Sequence, residues 1–370
     1  MLSFLTITFA HKLSNRMGYI KRSNGVTRVS LYAILLETTY YSFYKRTIIS
    51  RMNRPRVFVT SNNIPESGIE LLRTKCDVTV LQDVTNTREE ILQAVPGHDA
   101  IMITGYINVN TEFLNIAGPN LKVISTVSAG YDHLDVPEIK RRGIKVGHTP
   151  NVLSAAVAEV AILLALSAAR RSHEGRLKID EGKVISRYNW LLGQEIRNST
   201  VGIVGLGNIG QAILKRLVSF EVNTFLYTGH SEKKAGKDLG AKFVSLDELL
   251  AQSDFIFVAT PLNNETRGLF NDTTFGKMKK TAVFVNIGRG KVVDTDALVR
   301  ALKNHTIFAA GLDVTDPEPL PIEHELLKLP NAVLLPHLGS ATVKTRSDMS
   351  IVAAQNILNG LAGKPLVYEL

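Results

Sequence analysis

The sequence predicts an α/β protein of two doubly wound parallel-sheet domains, Rossmann-like and flavodoxin-like, with the active site in the cleft between them. Three observations carry that expectation. From Arg56 onward, short apolar β-prone runs alternate with helix-patterned stretches, as strands joined by helical crossovers do. The run Gly205-Leu206-Gly207-Asn208-Ile209-Gly210 stands between one such strand and a helix. The length of 370 residues exceeds the ~250–300 at which a single core usually stops growing.

Residues 1–52 read as an N-terminal extension. They hold eight Lys and Arg against one acid, Glu37, so most of the net charge of +9 belongs to the extension. The folded region is left nearly neutral, and no nucleic-acid partner is expected. The extension is acid-poor and contains Ser, Arg and apolar residues. It reads either as a dispensable leader ahead of Met52 or as a mitochondrial transit peptide. Its apolar stretches, residues 2–10 and 31–36, are too short to span a bilayer, so no membrane partner is expected. The cytoplasm is the expected location, and the mitochondrion if the extension targets.

Residues 57–60, 78–81, 100–104 and 123–127 read as buried parallel strands, with helices over 67–75 and 88–94 between them. Residues 154–171 form a long, almost wholly apolar helix interrupted by Glu159. It reads as a buried inter-domain or dimer helix rather than a membrane span. Further strands are expected at 200–204, 224–227, 255–259, 282–286 and 308–312, and a last helix over 343–360 that packs back on the first domain. The substrate domain is therefore assigned to 53–150 plus 337–370, and the dinucleotide-binding domain to 151–336. Apolar content of 45% and charged content of 21% are those of an ordinary soluble protein. Cys76 is the only cysteine, which rules out an intrachain disulfide and reads as a packing residue.

A Gly-x-Gly-x-x-Gly alone is weak evidence. Here it follows Thr200-Val201-Gly202-Ile203-Val204 and opens a stretch, Gln211 to Leu217, whose apolar residues recur at helical spacing. In that setting the glycines allow a tight turn and close backbone approach, and a pyrophosphate sits on the helix N-terminus. The next strand ends in Thr228-Gly229-His230-Ser231-Glu232-Lys233-Lys234. NAD-selective sites place Asp or Glu at that tip to bind the ribose hydroxyls. None stands there, and the nearby imidazole, hydroxyl and ammonium groups suit a 2′-phosphate. NADPH is the expected cofactor, with NAD usable; Glu232 argues the other way.

Three later segments fit together as one site: Asn286-Ile287-Gly288-Arg289-Gly290, then Asp313 through Pro319, then Pro336-His337-Leu338-Gly339-Ser340. Each places an Arg, a Glu or a His where a strand gives way to a turn, the end that faces the ligand crevice. Arg289 can grip a substrate carboxylate. His337 can give a proton to a carbonyl oxygen as hydride arrives, and Glu318 can hold the ring and favour its charged form.

In these motifs, residues 54–370 resemble the D-isomer-specific 2-hydroxyacid dehydrogenases. Ser125-Thr126-Val127-Ser128-Ala129-Gly130-Tyr131-Asp132-His133 is similar to that family's substrate loop. The resemblance implies reduction of small 2-oxo acids, glyoxylate and hydroxypyruvate above all. It implies Arg289, Glu318 and His337 as catalytic residues, with substrate contacts from Ala129, Gly130, Asp313, Ser340 and Trp190. Cofactor contacts are expected from the glycine loop, Thr228–Ser231, Pro261, Ile287, Arg289, Asp313 and Gly339. His230 is a departure, since NADPH-using relatives often carry Arg there. Trp190 lies in a segment that in this family can reach the partner subunit, which fits a homodimer. His133, His148, His173, His305 and His324 lack the Arg and Glu framing and read as surface or packing residues. No cluster has metal-ligand spacing. The alternative is a dinucleotide-sensing corepressor of the same fold, against which the chain lacks a polar C-terminal tail.

Overall fold

Parallel pairing organises the described chain, residues 54–82, 87–185 and 187–370 of a computed structural model. The expected extension, residues 1–52, lies outside the described residues. Pro55–Leu370 form one unit that carries two sheets. The smaller contains β1 (Arg56–Val59), β2 (Asp77–Val80), β3 (Ala100–Ile103), β4 (Val123–Thr126) and β5 (Lys145–Gly147), in the order β2-β1-β3-β4-β5. The larger contains β6 (Thr200–Val204), β7 (Thr224–Thr228), β8 (Ala241–Phe243), β9 (Phe255–Val258), β10 (Val283–Asn286), β11 (Ala309–Leu312) and β12 (Ala332–Leu334), in the order β12-β11-β10-β9-β6-β7-β8. Both are doubly wound. In the larger sheet β6 lies between β7 and β9, so the strand order reverses there and opens a crevice at the carboxyl ends.

Every residue of β3, β4, β9, β10 and β11 is buried. Helices cover both faces of such sheets, which is why these strands read as continuous apolar runs and not as alternation. The strands expected from the sequence sit within a residue of the observed ones. Three were not read, β5, β8 and β12, each only three residues long.

The apolar helix runs Ser154–Ala169, two residues short of expectation, because Arg171 turns into the left-handed region (φ 52°) before a second helix, Ser172–Asp180. It packs on β10, β11 and the helix Asn208–Leu217. A Cβ on Gly311 would stand 2.8 Å from Leu164 Cβ, so glycine in β11 lets the helix settle on the sheet. Ala155, Glu159 and Leu163 form an exposed stripe in the single chain.

The last helix, Val343–Leu361, lies on the smaller sheet and against the helix Glu66–Arg73. Ser350 Oγ accepts from Gly68 N at 3.0 Å and donates to Pro65 O at 2.7 Å. Buried Asn356 donates to Ser125 Oγ and His148 O, and accepts from the N–H groups of Val367 and Tyr368. One side chain therefore ties the last helix, β4 and the chain end together. No described helix is long and apolar enough to cross a membrane.

Candidate active site

The carboxyl ends of the larger sheet converge on one crevice. Gly205 follows β6 with φ +98°, and a Cβ there would lie 2.9 Å from the Ala259 carbonyl and from Thr260 N. Only glycine fits that conformation and that approach. A Cβ on Gly210 would overlap the Gly205 carbonyl, so this glycine brings the helix Asn208–Leu217 down onto its strand. Gly207, the N-cap, has nothing within 4 Å of its Cβ position. The first residue permits the turn, the third packs the helix, and the second leaves a space at a helix N-terminus. These are the features a dinucleotide pyrophosphate requires.

Around that loop, Leu206 is buried in the core and Ile209 packs at its edge. The Asn208 side chain donates to Asn151 Oδ1. Thr228 O accepts from Gly205 N at 3.0 Å, which sets the tip of β7 beside the fingerprint. Gly229, His230 and Ser231 are exposed there. The tip itself has no acid, but Glu265 Oε2 comes within 3.7 Å of His230 Nδ1 from the loop after β9. Sequence reading missed Glu265, because 34 intervening residues conceal the proximity. Pro261 is exposed in that same loop, its carbonyl held by Thr266 Oγ1 at 2.7 Å.

Arg289 follows β10. Buried Asn286 shapes its turn, accepting from Gly288 N and donating to the Arg289 carbonyl, both at 3.0 Å. Ile287 is buried beneath it, and a Cβ on Gly290 would overlap the Thr315 carbonyl. That close approach sets Arg289 beside the segment after β11. The guanidinium reaches the loop after β4 of the smaller sheet: Nε donates to Asp132 Oδ1 at 2.9 Å, and a Cβ on Gly130 would overlap Nη2. Among the described residues, no acceptor takes the N–H of Ala129 or Gly130. Two free backbone donors beside a guanidinium make a seat for a carboxylate.

His337 Nδ1 lies 2.6 Å from Glu318 Oε1. Burial pushes Glu318 up, but the hydrogen bond and charge of His337, the Thr315 N–H and Arg289 together hold it below the ordinary carboxylate range. The pair is a charge-assisted hydrogen bond that leaves Nε2 of the imidazole directed elsewhere. His337 itself sits at φ 55°, a conformation that costs a non-glycine residue about 1–3 kcal/mol. Asp313 stabilises it. Its backbone carbonyl accepts from His337 N, and its carboxylate accepts from Leu338 N at 2.7 Å and Gly339 N at 2.9 Å. Asp313 is 2% exposed; burial pushes its carboxyl up against the pull of those N–H groups and of His337. Ser340 follows on the loop, half-buried, its carbonyl accepting from Arg346 Nε.

Arg289, Glu318, His337, Asp313, Gly130 and the glycine loop are thus brought to one crevice. Trp190 is half-buried in a segment whose neighbours Tyr188 and Leu192 are exposed; among the described residues no hydrogen bond joins it to the Arg289–Glu318–His337 group. His133 and His148 pack around the loop after β4, His133 bonding Thr126 Oγ1 at 3.1 Å and His148, which follows β5, the Ala129 carbonyl at 2.9 Å.

Comparison with known proteins finds relatives along most of the chain. The family model described as D-isomer specific 2-hydroxyacid dehydrogenase, NAD binding domain, matches residues 162–339. Glyoxylate reductase/hydroxypyruvate reductase of Homo sapiens is 48% identical over 320 residues, 85% of this chain and 97% of that one. Glyoxylate reductase of Thermofilum pendens is 43% identical over 318 residues, 85% and 93% of the two chains. The crystal structure of an NADPH-dependent glyoxylate/hydroxypyruvate reductase from Sinorhizobium meliloti, in complex with NADP and malonate, matches with a TM-score of 0.76 at 30% identity, covering 86% of this chain and 97% of that one.

Proposed function

Because the chain belongs to the D-isomer specific 2-hydroxyacid dehydrogenases, we propose that it reduces glyoxylate to glycolate and hydroxypyruvate to D-glycerate, with NADPH preferred and NADH usable. The observation that carries this reading is the 2.6 Å His337–Glu318 pair set beside Arg289 and the free N–H groups of the substrate loop. When bound, the dinucleotide supplies a hydride to the substrate carbonyl carbon. Arg289 and the N–H groups of Ala129 and Gly130 hold the carboxylate, which fixes the adjacent carbonyl in the crevice. His337 delivers a proton from Nε2 to the carbonyl oxygen, while Glu318 at Nδ1 holds the ring in plane and balances its charge. Asp313 keeps the His337 loop in its strained conformation. In this reading the smaller sheet with residues 337–370 is the substrate domain, and residues 151–336 hold the dinucleotide.

The absence of an acid at the tip of β7 supports NADPH. A homodimer is part of the same proposal, supported by the exposed Ala155–Glu159–Leu163 stripe and by exposed Val184, Ile185, Tyr188 and Leu192. Light scattering should give twice the monomer mass, and a monomer would reject the dimer. Specificity constants across glyoxylate, hydroxypyruvate, pyruvate and 3-phosphohydroxypyruvate test the substrate assignment. The first two should lead, and a clear preference for either of the others would overturn it.

A further inference from the structure

Arg289 is held by two acceptors of the chain itself, one of them from the opposite side of the crevice. Its Nε donates to Asp132 Oδ1 at 2.9 Å and its Nη1 to the Gly288 carbonyl at 2.9 Å. Both ion-pair partners are about 30% exposed, at 28% and 31%. Asp132 follows β4 of the smaller sheet and Arg289 follows β10 of the larger, so one ion pair joins the two.

Asp132 stands on a braced loop. Next to it His133 is 9% exposed, with Nε2 at 3.1 Å from Thr126 Oγ1. Thr126 Oγ1 is 2.8 Å from Ser128 Oγ, which donates to the Gly130 carbonyl at 2.6 Å. The His133 carbonyl accepts from Val109 N, and Asp135 N donates to the Val109 carbonyl. A carboxylate on such a loop presents a fixed acceptor rather than a mobile one.

A guanidinium has five N–H donors in one plane. Asp132 engages the Nε side and Gly288 one Nη1 position, which leaves Nη2 against Gly130, beside the unpaired N–H groups of Ala129 and Gly130. We propose that Asp132 is a positioning residue: it orients Arg289 across the crevice so that Nη2 and those two N–H groups form a single seat for the substrate carboxylate. The inference rests on the reading of Arg289 as the carboxylate grip. A carboxylate that merely competed with the substrate for Arg289 would have the opposite consequence, because removing it would tighten binding.

The full-length protein is compared with Asp132→Ala, Asp132→Asn, Arg289→Gln and the Asp132→Ala/Arg289→Gln double variant. KM and kcat are measured for glyoxylate, together with the NADPH Kd and the Tm. Asp132→Ala should raise KM by about ten-fold or more, since small misplacement of a positioning group costs that much, with NADPH Kd and Tm unchanged. Asp132→Asn keeps an acceptor and should show a smaller rise, and it serves as the test if the alanine variant fails to fold. The double variant should be no worse than Arg289→Gln alone, as expected of one residue acting through another. An unchanged or lowered KM in the Asp132 variants, or losses that multiply in the double variant, overturns the inference. A wild-type KM in Arg289→Gln instead overturns the assignment of the carboxylate grip itself.

Discussion

His337 Nδ1 and Glu318 Oε1 are 2.6 Å apart although the residues come from separate loops, after β12 and after β11. The bond fixes the ring so that its other nitrogen is the one available for chemistry. Losing a general acid typically costs 10²–10⁴-fold, so His337→Gln should lower kcat by about that range while leaving NADPH binding intact. Glu318 lies below the ordinary carboxylate range and is therefore ionised across neutral pH. Its carboxylate holds the neighbouring ring through Nδ1. Glu318→Gln weakens that hold, so kcat should fall by about ten-fold or more while the NADPH Kd is unchanged. A kcat matching wild type would reject the coupling.

The glycine loop offers a contrast between two alanine substitutions. Gly207→Ala places a methyl where nothing lies within 4 Å, so Tm should hold while the NADPH Kd rises. Gly210→Ala drives a methyl into the Gly205 carbonyl, an overpacking that costs about 1–3 kcal/mol, and Tm should fall. Thermal melts with and without NADPH read both. If Gly207→Ala binds NADPH as wild type does, the pyrophosphate lies elsewhere.

Thr228 ends β7 beside Gly205 with no acid at the tip. Thr228→Asp should repel a 2′-phosphate and offer an acceptor to the ribose hydroxyls, turning selectivity toward NADH. The ratio of specificity constants for the two cofactors is the readout. A wild-type ratio that already favours NADH would reject the assignment.

His133 gives a stability prediction with a definite sign. Burial, opposed by Asp132 and reinforced by Arg289, lowers it from 6.5 to about 4. The folded state therefore prefers the neutral ring, and the stability it contributes is full above the unfolded value. That contribution is lost as the pH falls from 6.5 toward about 4, a loss on the order of 3 kcal/mol at 1.36 kcal/mol per pH unit. Urea unfolding at neutral and at acid pH should show a shallower acid loss in His133→Gln than in wild type. Parallel losses in the two proteins would contradict it.

Much of this site was legible before the fold was known. The fingerprint glycines announce themselves because a backbone turn, a helix approach and a ligand gap each require that residue, and Arg289 and Glu318 follow strands, β10 and β11, that apolar runs mark plainly. What stayed hidden was pairing at a distance. Nothing in the order of residues shows that Asp132 holds Arg289, that Glu265 approaches His230, or that Asp313 accepts from two N–H groups of the His337 loop. The short strands β5, β8 and β12 were hidden for another reason: three residues are too few for a periodic pattern, and tertiary pairing alone makes them strands.

The most direct test of the whole account is to follow NADPH consumption by the full-length protein with hydroxypyruvate, beside the His337→Gln variant, and to determine the chirality of the product. The expected result is rapid oxidation of NADPH, D-glycerate as the product, and a kcat in the variant reduced by at least about 10²-fold. Wild-type protein that leaves NADPH unoxidised, or a variant that turns over as fast as wild type, would contradict it.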